Sequence, residues 1–419
     1  MPNYFSKKAK YSFVLIWIIF YFFIIVNSIS AIGNYEIKSL RVFQANNQTS
    51  FPISISGSKI TIEFDLECTD LPNWEIFFVF CDKNWEPYEN GLLRDDIYNT
   101  EKNLWFENIP FKSDKANYHY VNSFPNENVK FPFSGKWRYF IQDAYNSDLI
   151  FGEGKFYVVN ESIIYLKTNI TNQIIQGMDI VPAVFGQVWN LQISVIVPDS
   201  LFVDKVNFIE MIENKKIEDP IIILKTYDNE FIYYEVDSYN SLSFFAKNIK
   251  PGSAYRQVNL MDKSKYQYPK TFAHFEGVEV SNKFNPSKSD LFGGSKIMDY
   301  KSLYSEYLDV QFQLRTPDKY YKNIFIVGSF TNWEIYPEYK LNEKDGIFSA
   351  NVELKRGIYD YQYVVADIDG NYLSNINWIE LEGNSWLTNR EFYIFLFYNT
   401  DELGGYDKII AYKKIWSRN

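Results

Sequence analysis

The feature that most constrains the fold is a strict alternation of apolar and polar residues between Ile60 and Cys68, the period of a strand with one buried face. Trp74–Phe80 and Ile221–Leu224 are nearly continuous apolar runs bounded by turn residues, which predict central strands covered on both faces. Outside the N-terminal segment no apolar pattern of about 12 residues or more indicates a helix. Arg94–Phe106 is compatible with a short one. The chain is therefore predicted to be built from β-strands.

The composition favours a binding protein over an enzyme. Aromatic residues make up 19% of the 419 residues, and such residues favour strands and contact surfaces. The net charge of −10 argues against nucleic-acid binding, because that affinity comes from Lys and Arg neutralising phosphates. Two His and two Cys leave little material for a transition-metal site or a nucleophilic triad. We therefore expect no catalytic residues, no cofactor, no metal and no nucleic-acid partner.

The N-terminus has the order of a secretory signal peptide. Three lysines in the first ten residues precede an apolar run at 11–26, and Ser28 and Ser30 supply a small-x-small cleavage pattern. Cleavage near Ser30 would remove residues 1–30 and change the net charge from −10 to −13, because that segment holds three lysines and no acid. An uncleaved anchor helix is the alternative, since the run approaches the roughly 17 residues that span a bilayer. The sequence predicts an exported protein.

Turn signals divide the remaining chain into three strand-rich sections, at 32–160, 161–298 and 303–415. The polar, glycine-containing stretch Ser281–Ser295 is interpreted as a linker or exposed loop between the last two. Each section has the size and the strand spacing of a β-sandwich. The predicted fold class is all-β, with tandem immunoglobulin-like β-sandwich domains after the signal peptide.

Cys68 and Cys81 are the one possible disulfide pair. We interpret Ser58–Cys68 and Trp74–Cys81 as a hairpin about a turn near Leu71. That register separates the two thiols by on the order of 20 Å along the strands, whereas a disulfide needs Cα atoms within about 7 Å. We expect two free, buried thiols.

The third section contains a strand that ends in Gly328-Ser329-Phe330, followed by Trp333, and a later strand with tyrosines at 359, 361 and 363. This pattern, over about 60 residues, resembles the early-set immunoglobulin-like modules of the glycogen-binding type. The resemblance implies that Trp333 stacks on a sugar ring and that a second aromatic residue, at the position of Tyr372, assists. The module's sugar-binding Lys is replaced by Gln362 here. The alternative is a packing or docking scaffold in which Trp333 is partly buried.

Several stretches together resemble the plug proteins of the type IX secretion system of Bacteroidota-type bacteria. The resemblance rests on Cys81–Trp85, Phe124–Val129, Ser134–Trp137, Pro251–Arg256 and Val327–Trp333. It implies a non-catalytic exported protein of β-sandwich domains in the periplasm, associated with the outer membrane. Its partner would be the large outer-membrane β-barrel translocon, whose channel it would close from the periplasmic side when no substrate is engaged.

Docking of this kind requires exposed aromatic side chains with polar rims. Candidate contacts are the loop residues Trp85, Trp105, Trp333 and Trp386. For each of them the alternative, which we favour for any single residue, is a core or sheet-packing aromatic. A carbohydrate-binding protein that uses Trp333 and Tyr372 is the alternative function.

Overall fold

The computed structural model describes residues 35–94, 97–113, 115–175, 186–225, 230–275, 277–281, 290–316, 322–369 and 372–418. Within these ranges the predicted all-β sandwich class is confirmed. Their helical elements are short 3₁₀ turns, at Gly91–Leu93, Val203–Lys205, Pro337–Tyr339 and Glu402–Gly404. None of the helices in this part of the chain has the length and apolar character to cross a membrane. The predicted signal peptide, 1–30, lies outside the described residues.

Nine strands form the first domain: β1 Glu36–Gln44, β2 Ile53–Ile55, β3 Ile60–Glu67, β4 Trp74–Cys81, β5 Thr100–Glu101, β6 Glu107–Ser113, β7 Ala116–Phe124, β8 Gly135–Asp143 and β9 Ile150–Val159. One sheet has the order β1-β3-β7-β6, and the other has the order β2-β9-β8-β4-β5. All pairs are antiparallel except β2 with β9. The apolar residues of β3 and β4 fill the core between the two sheets.

The alternation in β3 is confirmed on its inner face, where Ile60, Ile62, Phe64 and Leu66 are at most 1% exposed. The outer face differs from the prediction of a half-exposed strand. Asp65 is only 1% exposed there, because the third domain described below covers this face. The predicted central position of Trp74–Phe80 is confirmed, since β4 pairs with β8 on one side and β5 on the other.

The two cysteines are free and buried, as expected. The hairpin used to place them is wrong, because β3 and β4 belong to opposite sheets and not to one hairpin. Burial raises the pKa of Cys68 to about 11 and of Cys81 to about 12. Thiolates are therefore scarce at neutral pH, and both side chains act as small apolar core residues.

The prediction that Arg94–Phe106 contains a short helix is wrong for the described part of that stretch. The 3₁₀ turn at Gly91–Leu93 comes before it, and the short strand β5 lies inside it.

The chain continues through β10 Leu166–Ile174, β11 Gln187–Ile196, β12 Val206–Glu213, β13 Ile221–Leu224, β14 Ile232–Ser238 and β15 Ser241–Ile249. Strands β10, β11, β15 and β14 form a four-stranded sheet in that order. The prediction that Ile221–Leu224 is a central strand is wrong. Strand β13 is the edge of a second sheet, next to β12, and Ile222 is 37% exposed.

A third domain follows with ten strands: β16 Arg256–Asn259, β17 Lys270–Phe272, β18 Glu279–Val280, β19 Ser295–Ile297, β20 Tyr307–Arg315, β21 Ile324–Gly328, β22 Asn342–Lys344, β23 Ile347–Lys355, β24 Gly357–Asp369 and β25 Tyr372–Asn377. In one sheet β24 pairs with β16, β19, β21 and β25. In the other sheet the order is β17-β20-β23-β22, and β18 also pairs with β20. The side chains between the two sheets form a separate core.

The last two strands, β26 Glu391–Thr400 and β27 Tyr406–Trp416, return to the second domain. Strand β26 pairs with β12, which completes a sheet of order β13-β12-β26-β27. This sheet and the β10-β11-β15-β14 sheet share one core. The strand pairing therefore differs from the predicted sections 161–298 and 303–415. The third domain is inserted into the second, because the C-terminal hairpin pairs with a strand that lies far earlier in the chain.

A continuous apolar interface joins the first and second domains. The Phe51 ring stacks on Tyr393 at 4.1 Å between centroids, and Tyr157 stacks on Phe395 at 4.3 Å. Within this interface the Lys136 ammonium lies 2.9 Å from the Glu210 carboxylate, and both side chains are at most 2% exposed. These buried contacts join the two sandwiches through a shared apolar cluster.

Asp65 of β3 joins the first domain to the third. Its carboxylate lies 2.7 Å from His119 Nδ1 and accepts hydrogen bonds from Tyr307 Oη at 2.7 Å and Lys355 Nζ at 2.6 Å. Burial by itself raises the pKa of Asp65, but the His119 hydrogen bond and the Lys355 charge outweigh it and leave that pKa below its usual value. The charged form of the Asp65 carboxylate therefore stabilises the contact between the first and third domains.

The described end of the expected linker also packs at a domain junction. A side chain added at Gly294 would meet the Thr49 backbone at 3.2 Å, and the carbonyl of Gly293 accepts a hydrogen bond from Trp333. Residues 290–295 are thus part of the folded body, whereas 282–289 lie outside the described residues.

Candidate docking surface

Trp333 is a core residue in this structure. It follows the Gly328 turn, where its own N–H donates to the Gly328 carbonyl, and its side chain is 3% exposed. The indole Nε1 donates to the Gly293 carbonyl at 2.8 Å, and the ring packs on Tyr255 at 4.2 Å between centroids. With its hydrogen bond satisfied and its ring covered, Trp333 presents no stacking surface to a ligand.

The face of the third domain that would bind sugar in a glycogen-binding module is covered by the second domain. Lys216, from the turn after β12, lies over the Trp378 ring at 4.1 Å and 5.9 Å from the Trp333 ring centre. Gln362, at the position of the module's sugar-binding Lys, is 4% exposed and donates to the Trp378 carbonyl at 3.0 Å. The side chain of Tyr372 lies outside the described residues. Trp378, which the sequence analysis missed, lies nearer to Lys216 than Trp333 or Tyr255 does.

The other predicted tryptophans have different surroundings. Trp85 is 8% exposed and packs edge-on against Tyr157 at 5.2 Å. Trp386 is half-buried, and its Nε1 donates to the Val188 carbonyl at 3.1 Å. Trp105 is 81% exposed and is the tryptophan of the predicted group that can reach a partner without rearrangement.

Three strongly exposed apolar residues lie at one end of the second domain. We call this the distal patch: Ile196, Phe202 and Tyr239, which are 68%, 64% and 85% exposed. The loops that carry these residues are held together by a hydrogen bond from Val197 N–H to the Asn240 carbonyl at 2.8 Å. Large side chains on three neighbouring segments, held by a backbone bond, form an ordered surface.

Phe202 and Tyr239 border a groove of about 480 Å³. Charged residues line its rim, namely Asp199, Asp204 and Lys225. The Lys225 ammonium donates to the Val203 carbonyl at 2.8 Å, and burial lowers the Lys225 pKa. An apolar centre with a charged rim is the anatomy of a protein-binding surface. The sequence analysis missed these residues because a single aromatic residue beside a turn has the same local pattern as one at the end of a buried strand. The turn at Pro198-Asp199-Ser200 was the signal that indicated a loop here.

The described residues contain no group of three or more His, Cys, Asp or Glu side chains placed to hold a metal ion. The buried carboxylates in these ranges that we have described are instead joined to cations, as Asp65 is to Lys355 and Glu210 to Lys136. Their arrangement stabilises domain junctions.

One solved structure shares this fold over nearly its full length. It is the crystal structure of a hypothetical protein from Parabacteroides merdae ATCC 43184, with a TM-score of 0.74 and 16% identity over 91% of this chain and 97% of that one. A marsupial T cell receptor also aligns, but with a TM-score of 0.17 and 7% identity over 91% of this chain and 98% of that one it carries no argument. No curated protein matches the chain.

The family comparison covers the first domain. Its nine strands lie within the stretch that ends at Val159, and the motifs Cys81–Trp85 and Phe124–Val129 begin at the last residues of β4 and β7 and continue into the loops that follow. Residues 37–160 match the family described as Type 9 secretion system plug protein 1st domain.

Proposed function

We propose that this protein is a non-catalytic subunit of the type IX secretion system that docks on the periplasmic side of the outer-membrane translocon and plugs its channel when no substrate is engaged. The observation that carries the proposal is the match of residues 37–160 to the first domain of type 9 plug proteins. A periplasmic location, in contact with the outer membrane after signal-peptide cleavage, follows from this role. The large outer-membrane β-barrel is the partner that it requires.

The joined domains support a plugging role. A plug must resist deformation while it closes an opening, and small domains on free linkers would not. Here the first domain is fixed to the second by stacked aromatics and to the third by the Asp65 ion-pair network. The inserted third domain is tied to the second at both of its ends.

The distal patch is the surface that we assign to the translocon. Reversible docking requires on the order of 1,200–2,000 Å² of buried surface, with a few aromatic anchors at its centre. Phe202 and Tyr239 are such anchors, and the groove between them has a charged rim. Trp105, on the first domain, is a second candidate contact.

The structure gives the carbohydrate-binding alternative no support. The resemblance of the third domain to early-set glycogen-binding modules stays a prediction, but Trp333 and Gln362 are at most 4% exposed. In this arrangement of the domains neither side chain presents a surface on which a sugar ring could stack.

Affinity purification of the tagged protein from its native bacterium tests the proposal. We expect a very large outer-membrane β-barrel to co-purify, and its absence after mild cross-linking would contradict docking. The double variant Phe202→Ser with Tyr239→Ser should reduce the recovered barrel at least tenfold. Tyr145→Ser is the matched control, because Tyr145 is 89% exposed but lies on the first domain. Equal recovery from both variants would place the interface away from the distal patch.

A further inference from the structure

Strand β10 is an edge of the second domain, and in the described part of the chain β11 is its one strand neighbour in the sheet. The two strands pair over all nine residues of β10, from Leu166 with Val195 to Ile174 with Gln187, without a register shift. A long and regular edge of this kind is a surface on which a further strand can add.

The alternation of hydrogen bonds identifies the backbone groups of β10 that point outward. The Ile175 N–H, one residue beyond β10, donates to the Gly186 carbonyl at 2.9 Å, so the odd-numbered residues bond to β11. The even-numbered residues direct their N–H and C=O groups away from β11. In agreement, the outward carbonyl of Leu166 accepts from Lys413 Nζ at 2.6 Å. The next four residues of this set are Thr168, Ile170, Asn172 and Ile174. Their outward backbone groups have no hydrogen-bond partner among the described residues.

The β10 edge lacks the features that keep other edges apart. From Thr168 to Ile174 it carries no charge, no proline and no bulge. Other long edge strands carry such features: β1 has a register shift, β14 holds two acidic residues and β27 holds three lysines. Charges and bulges on an edge hinder the addition of another strand. Among these long edges, β10 is therefore the one suited to pairing.

A strand added to β10 would also cover apolar side chains. Ile170 and Ile174 point to the same face of the sheet, because side chains alternate along a strand. Ile170 packs against the core of the second domain, whereas Ile174, nearer the end of the strand, is 50% exposed. Extension of the sheet past β10 would continue this apolar face.

We propose that β10 pairs with β10 of a second copy of this protein, antiparallel about a twofold axis at Thr171. In this register Thr168 lies opposite Ile174 of the partner subunit, and Ile170 lies opposite Asn172 of the partner subunit. All four outward residues of each strand then form hydrogen-bonded pairs. The two four-stranded sheets become one continuous sheet across the dimer.

Self-complementarity is the reason that a second copy fits this edge. The symmetric register leaves none of the four outward residues unpaired and brings no charge opposite a like charge. It also places Ile174 of the partner subunit diagonally across from Ile170, within reach of a branched side chain. The proposal does not depend on docking to the translocon, because the distal patch consists of other residues.

Sedimentation velocity of the purified protein over a wide range of concentrations tests the proposal. We expect the average mass to rise from monomer to dimer. Thr171→Lys should raise the dimer dissociation constant about fivefold or more at low salt, because the two lysines would face each other at the twofold axis. Asn169→Lys is the matched control: Asn169 is exposed on the same face, but it lies opposite Gln173 of the partner subunit.

A charge exchange tests the register itself. Thr171→Glu should weaken its own dimer as Thr171→Lys does, whereas an equal mixture of the two variants should form a dimer at least as tight as the wild type. Restored association in the mixture would support the twofold axis at Thr171. A mixture that associates no better than either variant alone would overturn this register.

A backbone variant tests the strand pairing separately from charge. Asn172→Pro removes an N–H that points away from β11, so it should keep the fold and raise the dissociation constant at least about tenfold. Asn172→Ala retains the N–H and should dimerise as the wild type does; the unfolding temperature of each variant reports whether the fold is kept. The proposal is overturned if the wild type stays monomeric at every concentration, or if its dimer persists unchanged in Thr171→Lys and in a folded Asn172→Pro.

Discussion

At the scale of single residues, buried charges hold the inserted domain in shape. Arg256 donates to both oxygens of Glu382 at 2.9 Å and to Glu279 at 2.8 Å. Burial alone raises the pKa of Glu279, but the His274 hydrogen bond and the Arg256 charge outweigh it and lower that pKa to about 2. A buried pair of this kind is destabilising to break, because the remaining partner is left as an unpaired charge.

Glu279 should therefore contribute to acid unfolding. Its folded pKa lies below the ordinary value of 4.5, so its stabilisation is complete above about pH 4.5 and is lost as the pH falls towards 2. We expect Glu279→Gln to lower the free energy of unfolding by about 3 kcal/mol at pH 7 and by much less at pH 2. Urea unfolding across this range measures the difference. Glu127→Gln, at an exposed loop position, is the control; a pH-independent difference for Glu279→Gln would contradict the account.

At the scale of elements, strands β21 and β24 approach each other closely at Gly328, the residue that begins the turn carrying Trp333. A Cβ at Gly328 would lie 2.6 Å from the backbone oxygen of Asp360 and 2.8 Å from the Tyr361 Cβ. Since a backbone atom cannot move aside as a flexible side chain can, only glycine fits without separating the strands.

Gly328→Ala should lower the free energy of unfolding by roughly 1–3 kcal/mol, as overpacking does in well-packed sites. It should also increase the fluorescence quenching of Trp333 by acrylamide. Gly91→Ala is the control, because an added Cβ there meets nothing within 4 Å. Wild-type stability in Gly328→Ala would show that the two strands separate at little cost.

A structural feature of this molecule is predictable from the sequence when the residues that form it lie close together in the chain. The period in β3 correctly gave its core face, because burial of alternate residues is a local property. The continuous run in β13 gave a wrong central position, since its neighbours are decided by distant strands. The local motif around Trp333 is compatible with both sugar stacking and packing, because its covering residues Tyr255 and Lys216 come from outside that motif. The distal patch arises from segments that only the tertiary fold brings together.

At the scale of the whole molecule, the second domain is divided along the chain. Two of the four strands in one of its sheets, and six of the 20 described buried residues of its core, come from β26 and β27, beyond the inserted domain. A chain that ends after residue 389 should lose the second sandwich and keep the third domain, although it contains all of 161–298.

Hydrogen exchange by mass spectrometry distinguishes these outcomes. In the truncated chain, amide protection in β11 and β15 should fall to that of unfolded peptide, while β20 and β24 stay protected. A chain that ends after Ser417 should resemble the wild type. Retained protection in β11 would mean that 161–298 folds without the C-terminal hairpin, as the predicted sections implied.

Closing a channel is the central claim, and conductance measures it most directly. The purified translocon, inserted in a planar bilayer in one orientation, should conduct ions. Adding this protein to the periplasmic side should reduce the current to near the bilayer baseline, and adding it to the opposite side should have no effect. An unchanged current on periplasmic addition, with binding to the translocon shown in parallel, would contradict the proposal that the protein is a plug.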